Sequence, residues 1–395
     1  MSTISLQHLL EACRPGGASV LTSVTPLEPA AGPHASVAPA KFVSGSKSVF
    51  AYERRFWEGE AVTAVLIDSK QSQNNRLEAA VSAAIADEDP VLARTPRIEV
   101  RFEDGQVYSD IDLPHRAFDG QIRAGTINGE PATDAWEYKN LRNATVSHAR
   151  PLLEHSPMTL LLGGWDASRK SHQGRYRSIL VGEIIGILTD QEGDPETNQS
   201  RRGGARIDPV GMRIDLGEKE RKVIADAQKR ELSAATHKSA SGKAGKSSTL
   251  GLGGIPPSLE QLGGVTCQAI IRSHVLSFAA LRALRFDSPT PEGDVACRAL
   301  LAALALNGLA RSDAELLLRA SCDLVEAGPA VVTLDKRYGQ KENFEPLSID
   351  QSQELLSAAI DNATQTANVV WDGSVLIVEG NQAILAAAAD DAQDD

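Results

Sequence analysis

VTAVLIDSKQSQNNRLEAAVSAAIA, residues 62–86, decides how the chain is read. The apolar run Val62 to Ile67 has the look of a buried strand. Polar residues then run unbroken from Ser69 to Asn74. After them Leu77, Val81, Ala84 and Ile85 recur at the i, i+4, i+7, i+8 spacing of an amphipathic helix, predicted over 72–86. One Ser or Asp is enough to cap a helix, so this polar run exceeds what capping needs. Gln73 and Asn74 fall on the side of Leu77 and Val81, where polar groups require partners. A helix start with free N–H groups and the positive dipole end is a natural phosphate seat. Amides and hydroxyls there can grip sugar and phosphate without reading bases.

Working outward, Arg97 to Phe102 reads as a further strand and completes a strand–helix–strand unit. A second unit lies near the other end: a strand at Gly264 to Arg272, a helix through Arg285, and a strand at Val331 to Leu334. Two such units predict an α+β fold with a split βαβ sheet of the ferredoxin-like or RNA-recognition-motif type. This sheet-forming part is expected over 45–130 and 264–380, with 131–263 as an inserted basic helical and loop region and 383–395 as an acidic disordered tail. Within these bounds Ala132 to Glu154 reads as mostly helical and Met158 to Gly164 as a buried strand. Glu218 to Leu232 reads as a charged helix, and Ser233 to Gly254 as low-complexity, mobile chain. Glu292 to Asn307 and Asp313 to Ala320 read as Ala/Leu-rich helices, and Val369 to Val378 as a hairpin around Asp372-Gly373.

The chain has 395 residues, 42% hydrophobic, enough for a real core. No uninterrupted apolar run approaches a membrane span, and no secretory signal is evident at the start, so a cytoplasmic location is expected. Cys13, Cys267, Cys297 and Cys322 form no CxxC pair and imply neither zinc nor a disulfide framework. The net charge of −12 argues against nucleic acid when taken alone. Its distribution argues the other way. Thr197 to Leu250 holds twelve Lys/Arg against six Asp/Glu, a surplus of six that leaves −18 for the rest. Ala167 to Gly182 holds Arg169, Lys170, Arg175 and Arg177 and no acid. A basic centre and an acidic end suit one polyanion-binding face and one face for other partners.

Two further stretches fit such a face. Leu113-Pro114-His115-Arg116 sets a His-Arg pair in a turn. Gly163-Gly164-Trp165 leads through Arg169-Lys170 to Arg175-Tyr176-Arg177, combining close-approach glycines, an aromatic and bases. Ala240 to Ser247 mimics a P-loop but has Ala240 where Gly is required and no buried strand before it. No GxSxG, HExxH or paired-His spacing occurs. No catalytic set, metal site or cofactor is expected, and the chain does not read as an enzyme. With aromatics at 4%, base stacking on a sheet is not the expected mode, whereas backbone gripping fits.

At this point the residues resemble a family. Ile67-Asp68-Ser69 with Gln71-Ser72-Gln73-x-Asn75-Arg76-Leu77-Glu78 is similar to the hallmark of the RAMP-superfamily backbone subunit (Cas-seven type) of type I-U, or I-G, CRISPR Cascade effector complexes. Further similar stretches follow in order. They are Pro114-His115-Arg116, Ser156-Pro157 with Leu162-Gly163-Gly164-Trp165-Asp166, Arg177 with Glu183-Ile184-Ile185-Gly186, Arg206-Ile207-Asp208-Pro209, Gly254-Ile255-Pro256-Pro257-Ser258, and Leu276-Ser277 with Ala280-Leu281-Arg282. They span residues 67–286. Asn74, Gly120, Gly164 and Ala167 depart from the family pattern. The resemblance implies a palm with inserted finger and thumb elements and copies stacked head to tail on the crRNA spacer. It also implies a thumb that crosses the neighbour's RNA and flips out a base periodically. The partners implied are the crRNA, the target DNA strand, other copies of the chain, the large, small and Cas-five/six-type Cascade subunits, and a recruited helicase-nuclease; no membrane is involved. The residues expected on RNA are Ser69, Gln71, Ser72, Gln73, Asn75, Arg76, His115, Arg116, Arg169, Lys170, Arg175, Arg177, Arg202 and Arg206. Two rivals stand beside this reading. One is a type III-like subunit cutting target RNA with a metal through Asp68 or Asp208; the other is a scaffold that binds no nucleic acid.

Overall fold

A computed structural model describes residues 2–45, 47–191, 201–204, 214, 216–252, 258–319 and 322–384. The chain divides into two units, Met1–Asn198 with Gly264–Gly380, and Gln199–Gly263 with Asn381–Asp395. The first unit carries strands β1 (Val20–Pro29), β2 (Tyr52–Trp57), β3 (Glu60–Asp68), β4 (Arg97–Arg101), β5 (Val107–Ser109), β6 (Leu180–Leu188), β7 (Cys267–Ser277), β8 (Val331–Asp335), β9 (Lys341–Phe344) and β10 (Val375–Glu379). Its main helices are α1 (Leu6–Cys13), α2 (Lys70–Ala86), α3 (Pro291–Ala314) and α4 (Ile349–Ala367).

The fold is mixed α+β, built on a large antiparallel sheet ordered β9-β8-β1-β7-β6-β3-β2, with Leu324–Glu326 also paired to β1. Side chains alternate across it. On β1, Leu21, Ser23, Thr25 and Leu27 are buried, and on β7, Ile270, Arg272, His274 and Leu276. Register places Leu276 opposite both Leu21 and Leu180. Helix α2 packs on β6 and against α3, which also contacts α1 and α4. Every residue of α3 from Gly293 to Leu309 is buried. A Cβ at Gly308 would lie 2.8 Å from the Leu77 side chain of α2, so glycine here permits the close approach of the two helices. Although α3 is long and apolar enough to cross a bilayer, 94% of its most apolar window is buried inside the protein.

Several expected elements differ. Strands β3 and β6 are neighbours, but β4 lies in another sheet, ordered β5-β4-β10 with two short strands beyond. The first strand–helix–strand unit is therefore not one sheet. In the second, β7 and β8 flank β1 in the same sheet. Pro157–Leu162 is a helix rather than a strand, begun by Pro157 and buried throughout; periodicity cannot separate a short, fully apolar strand from a buried helical turn. The stretch 132–154 forms two short helices, Trp136–Arg142 and Arg150–His155. The first Ala/Leu-rich helix runs on through Ala314, because Gly308 serves packing and not termination, while residues 315–319 of the expected second helix are not helical. In place of the hairpin at 369–378 there is β10, which pairs in parallel with β4.

In the second unit Arg201–Gly204 pairs with Ser258–Leu262. Helix Glu218–Ala227 is followed by Ala234–Ser241, capped by the Ser233 side chain, and by a turn of 3-10 helix at Ser247–Leu250. The low-complexity stretch 233–252 thus holds defined helices. Arg221 is buried there and donates to the carbonyls of Leu216 (2.8 Å), Ala240 (3.3 Å) and Gly242 (3.0 Å). The P-loop-like run begins at a helix C-terminus, not after a strand. The expected tail, 383–395, lies outside the described residues from 385 onward.

Candidate nucleic-acid interface

Strand β3 delivers Asp68 to the start of α2, where Ser69 caps the helix by accepting from the Ser72 N–H. Asp68 is fully buried. Its carboxylate accepts from Ser72 Oγ (2.9 Å), Gln73 Nε2 (2.6 Å), Arg76 Nε (3.0 Å) and Arg319 Nη2 (3.2 Å). Burial pushes its pKa upward, but the bonds from Arg76, Gln73 and Ser72 outweigh it and hold Asp68 below the ordinary carboxylate value. Arg76 also donates to the Leu317 carbonyl. The polar run therefore separates by helical face. Ser72, Gln73 and Arg76 turn inward and serve Asp68, while Gln71 and Asn75, one turn apart, are exposed. Lys70, which the sequence reading passed over, is exposed beside them, 3.8 Å from Glu183.

The 113–119 loop meets the same helix. Arg116 takes a positive φ of 49° and engages the Glu78 carboxylate and the Gly163 carbonyl (2.9 Å). Burial raises the Glu78 pKa, and Arg116 works against that rise. Arg116 thus ties α2 to the glycine turn, while His115 is exposed next to it. A cleft runs here, lined by Gln71, Asn75, Glu78, Asp112, Pro114 and Arg116.

Beyond Gly163, whose φ is 90°, a short ladder pairs Gly164 with Tyr176 and Trp165 with Arg175. The Arg175 guanidinium sits 5.1 Å from the Trp165 ring centroid, a cation–π contact. Asp166 is buried and takes both bonds of Arg142 (2.8 and 3.0 Å). Arg169 donates to the Arg142 carbonyl (2.7 Å) and Asn143 Oδ1 (2.6 Å), which fastens the loop from within. Lys170, Arg175 and Arg177 are exposed. The structure thus brings the junction, the His115 loop and the Trp165 ladder together through α2, Glu78, Arg116 and Gly163.

Arg202 stands opposite Gln261 in the second unit, and Arg206 and Asp208 lie outside the described residues. Lys219, Lys222, Lys229, Arg230, Lys238, Lys243 and Lys246 are exposed there. Sequence reasoning missed Arg319, Arg142 and Glu78 as organisers of the site. Arg319 sits 251 positions from Asp68, and no local pattern announces the pair.

Residues 21–191, which contain the junction, the loop and the ladder, match a known family model. Over that segment the chain is similar to CRISPR-associated proteins. The model is described as CRISPR-associated protein GSU0053 (Cas_GSU0053), and the match covers less than half of the chain. No curated protein gives a significant match.

Proposed function

We propose that this protein is the repeating backbone subunit of a CRISPR surveillance complex. In this reading it coats the crRNA spacer along its sugar-phosphate backbone and presents it for pairing with target DNA. Four strands of the large sheet support a ferredoxin-like palm. They run β8-β1-β7-β6, all antiparallel, which is the order four-one-three-two, with α2 between the first and second and α3 between the third and fourth. The unit at 199–263 enters between β6 and β7, the second and third of these strands, and in this reading is the basic thumb.

The observation that carries the proposal is the division of α2. Gln71 and Asn75 are exposed on a cleft shared with the His115 loop, while Ser72, Gln73 and Arg76 lock the base of the helix to Asp68. Uncharged amides beside Lys70, with Lys170, Arg175 and Arg177 exposed on the segment that Arg116 and Gly163 tie to the same helix, suit sugar-phosphate contact without base readout. Sequence is then read by guide–target pairing. Copies joined head to tail form a filament that other Cascade subunits cap. The subunit acts in the cytoplasm and performs no catalysis itself.

The metal-dependent rival loses its described candidate, because Asp68 is enclosed by two guanidiniums, an amide and a hydroxyl. The test is co-expression with a CRISPR array, followed by the nucleic-acid to protein absorbance ratio and sizing of bound RNA. A high ratio with RNA of one guide length is expected. A protein-like ratio from a monomer would overturn the proposal in favour of a scaffold.

A further inference from the structure

On the helix-covered face of the large sheet, between β1, β7 and α3, lies a cavity of about 350 Å³. One end is apolar, walled by Leu21, Leu180, Leu276, Leu306 and Leu309. The other end is charged. Arg272 projects there from β7, 2% exposed. Its Nη2 reaches Glu326 Oε1 and its Nη1 approaches Asp313 Oδ1, both at 3.3 Å. Among the described residues, neither Nε nor Nη1 has a hydrogen-bond partner. Buried N–H groups of a guanidinium are rarely left unbonded, because desolvating them is costly. His274 lines the same end; burial, reinforced by Arg272, pushes its pKa down to about 3 and keeps it neutral. Burial raises Asp313 to about 6 against the pull of Arg272.

We propose that this cavity is a binding site for a small amphipathic amide, a molecule with a short alkyl or cycloalkyl body and an uncharged carboxamide head. The amide oxygen accepts from the unpartnered Arg272 N–H groups, and its N–H donates to Asp313 or Glu326, while the body fills the leucine end. A carboxylate head fits poorly, because it would face Asp313 and Glu326. An ammonium head would leave the Arg272 donors unbonded. An apolar pocket with a few convergent polar groups and shifted pKa values is the usual form of a small-ligand site. This site is separate from the proposed RNA face and does not depend on that reading.

The test uses the full chain with octanamide, octanoate and octylammonium, followed by calorimetry and thermal melting. Octanamide is expected to bind saturably and raise Tm, at least tenfold more tightly than either charged analogue. Arg272→Met should weaken it at least tenfold. Should that variant fail to fold, Ala330→Trp at the rim, where residue 330 is part-exposed, should still block binding while leaving the melting temperature of the empty protein within a few degrees. The proposal is overturned if none of the three binds, if a charged analogue binds as tightly as octanamide, or if Ala330→Trp binds octanamide as the parent does.

Discussion

The junction at 68–78 and the ladder at 163–177 are both rich in polar and basic residues, yet they use them in opposite ways. At the junction the arginine is internal equipment: Arg76 is held by Asp68 and the Leu317 carbonyl. In the ladder Arg175 and Arg177 face solvent, and only Arg169 is drawn into the loop. A basic residue in a polar motif is thus not yet a ligand for phosphate; what decides is whether a buried carboxylate claims it first. Gln71 and Asn75, which carry no charge, are the junction's outward amides, with the exposed Lys70 beside them.

The largest effect expected from this contrast is on stability. Asp68→Ala leaves Arg76 and Arg319, both partly exposed, without their shared buried carboxylate and should cost about 2–3 kcal/mol in denaturant unfolding. Arg76→Ala should likewise show up first as lost stability; loss of RNA with unchanged stability would break the contrast. A second buried carboxylate sharpens it. Among the described residues Asp110 has no guanidinium partner; it accepts from the Ile98 N–H (2.9 Å) and Ser156, and burial pushes it up to about 7. A raised carboxyl favours folding while protonated, so its contribution is complete below the ordinary value of 3.8 and is lost as pH rises through about 7. Asp110→Asn should therefore flatten the stability profile between those limits and gain about 1–3 kcal/mol at pH 8; an unchanged profile would contradict this account.

Smaller effects belong to the outward residues. Arg175→Ala with Arg177→Ala should leave Tm unchanged within a degree or two. The pair should lower RNA affinity about tenfold and cut the salt dependence of log K by about 1.4 in slope, the share of two single-strand phosphate contacts. An unchanged slope would remove these arginines from the interface. Gln71→Ala with Asn75→Ala should weaken RNA binding by about 1 kcal/mol with no change in slope, since neutral amides release no counterions.

Much of this was legible in residues 62–86. The strand, the cap, the helix and the need of Gln73 for a buried partner all follow from local pattern, and Asp68 is that partner. The division between inward and outward residues was not legible for Ser72 or Arg76, because it depends on how the helix rotates onto β6. Arg116 read as a phosphate ligand, but Glu78, on a helix 38 positions earlier, claims it. The same limit applied to β4, whose partner β10 comes from the far end of the chain. Pairings of that range leave no trace in a window of a dozen residues.

The ladder between β6 and β7 closes from Leu188 opposite Cys267 and continues to a bond from Thr189 N–H to the Thr266 carbonyl (3.1 Å). A hairpin this tight could be joined by a few residues, yet the chain makes a long excursion there. Loop-closure entropy grows only logarithmically, about 0.6 kcal/mol for each doubling of length. The excursion can therefore lengthen, shorten or change sequence at little thermodynamic cost to the sheet that anchors it. Its toll falls on kinetics: two central strands must find each other across a long sequence separation, which slows nucleation of the sheet. Variation at this point is cheap for the folded state and dear only to the rate of reaching it.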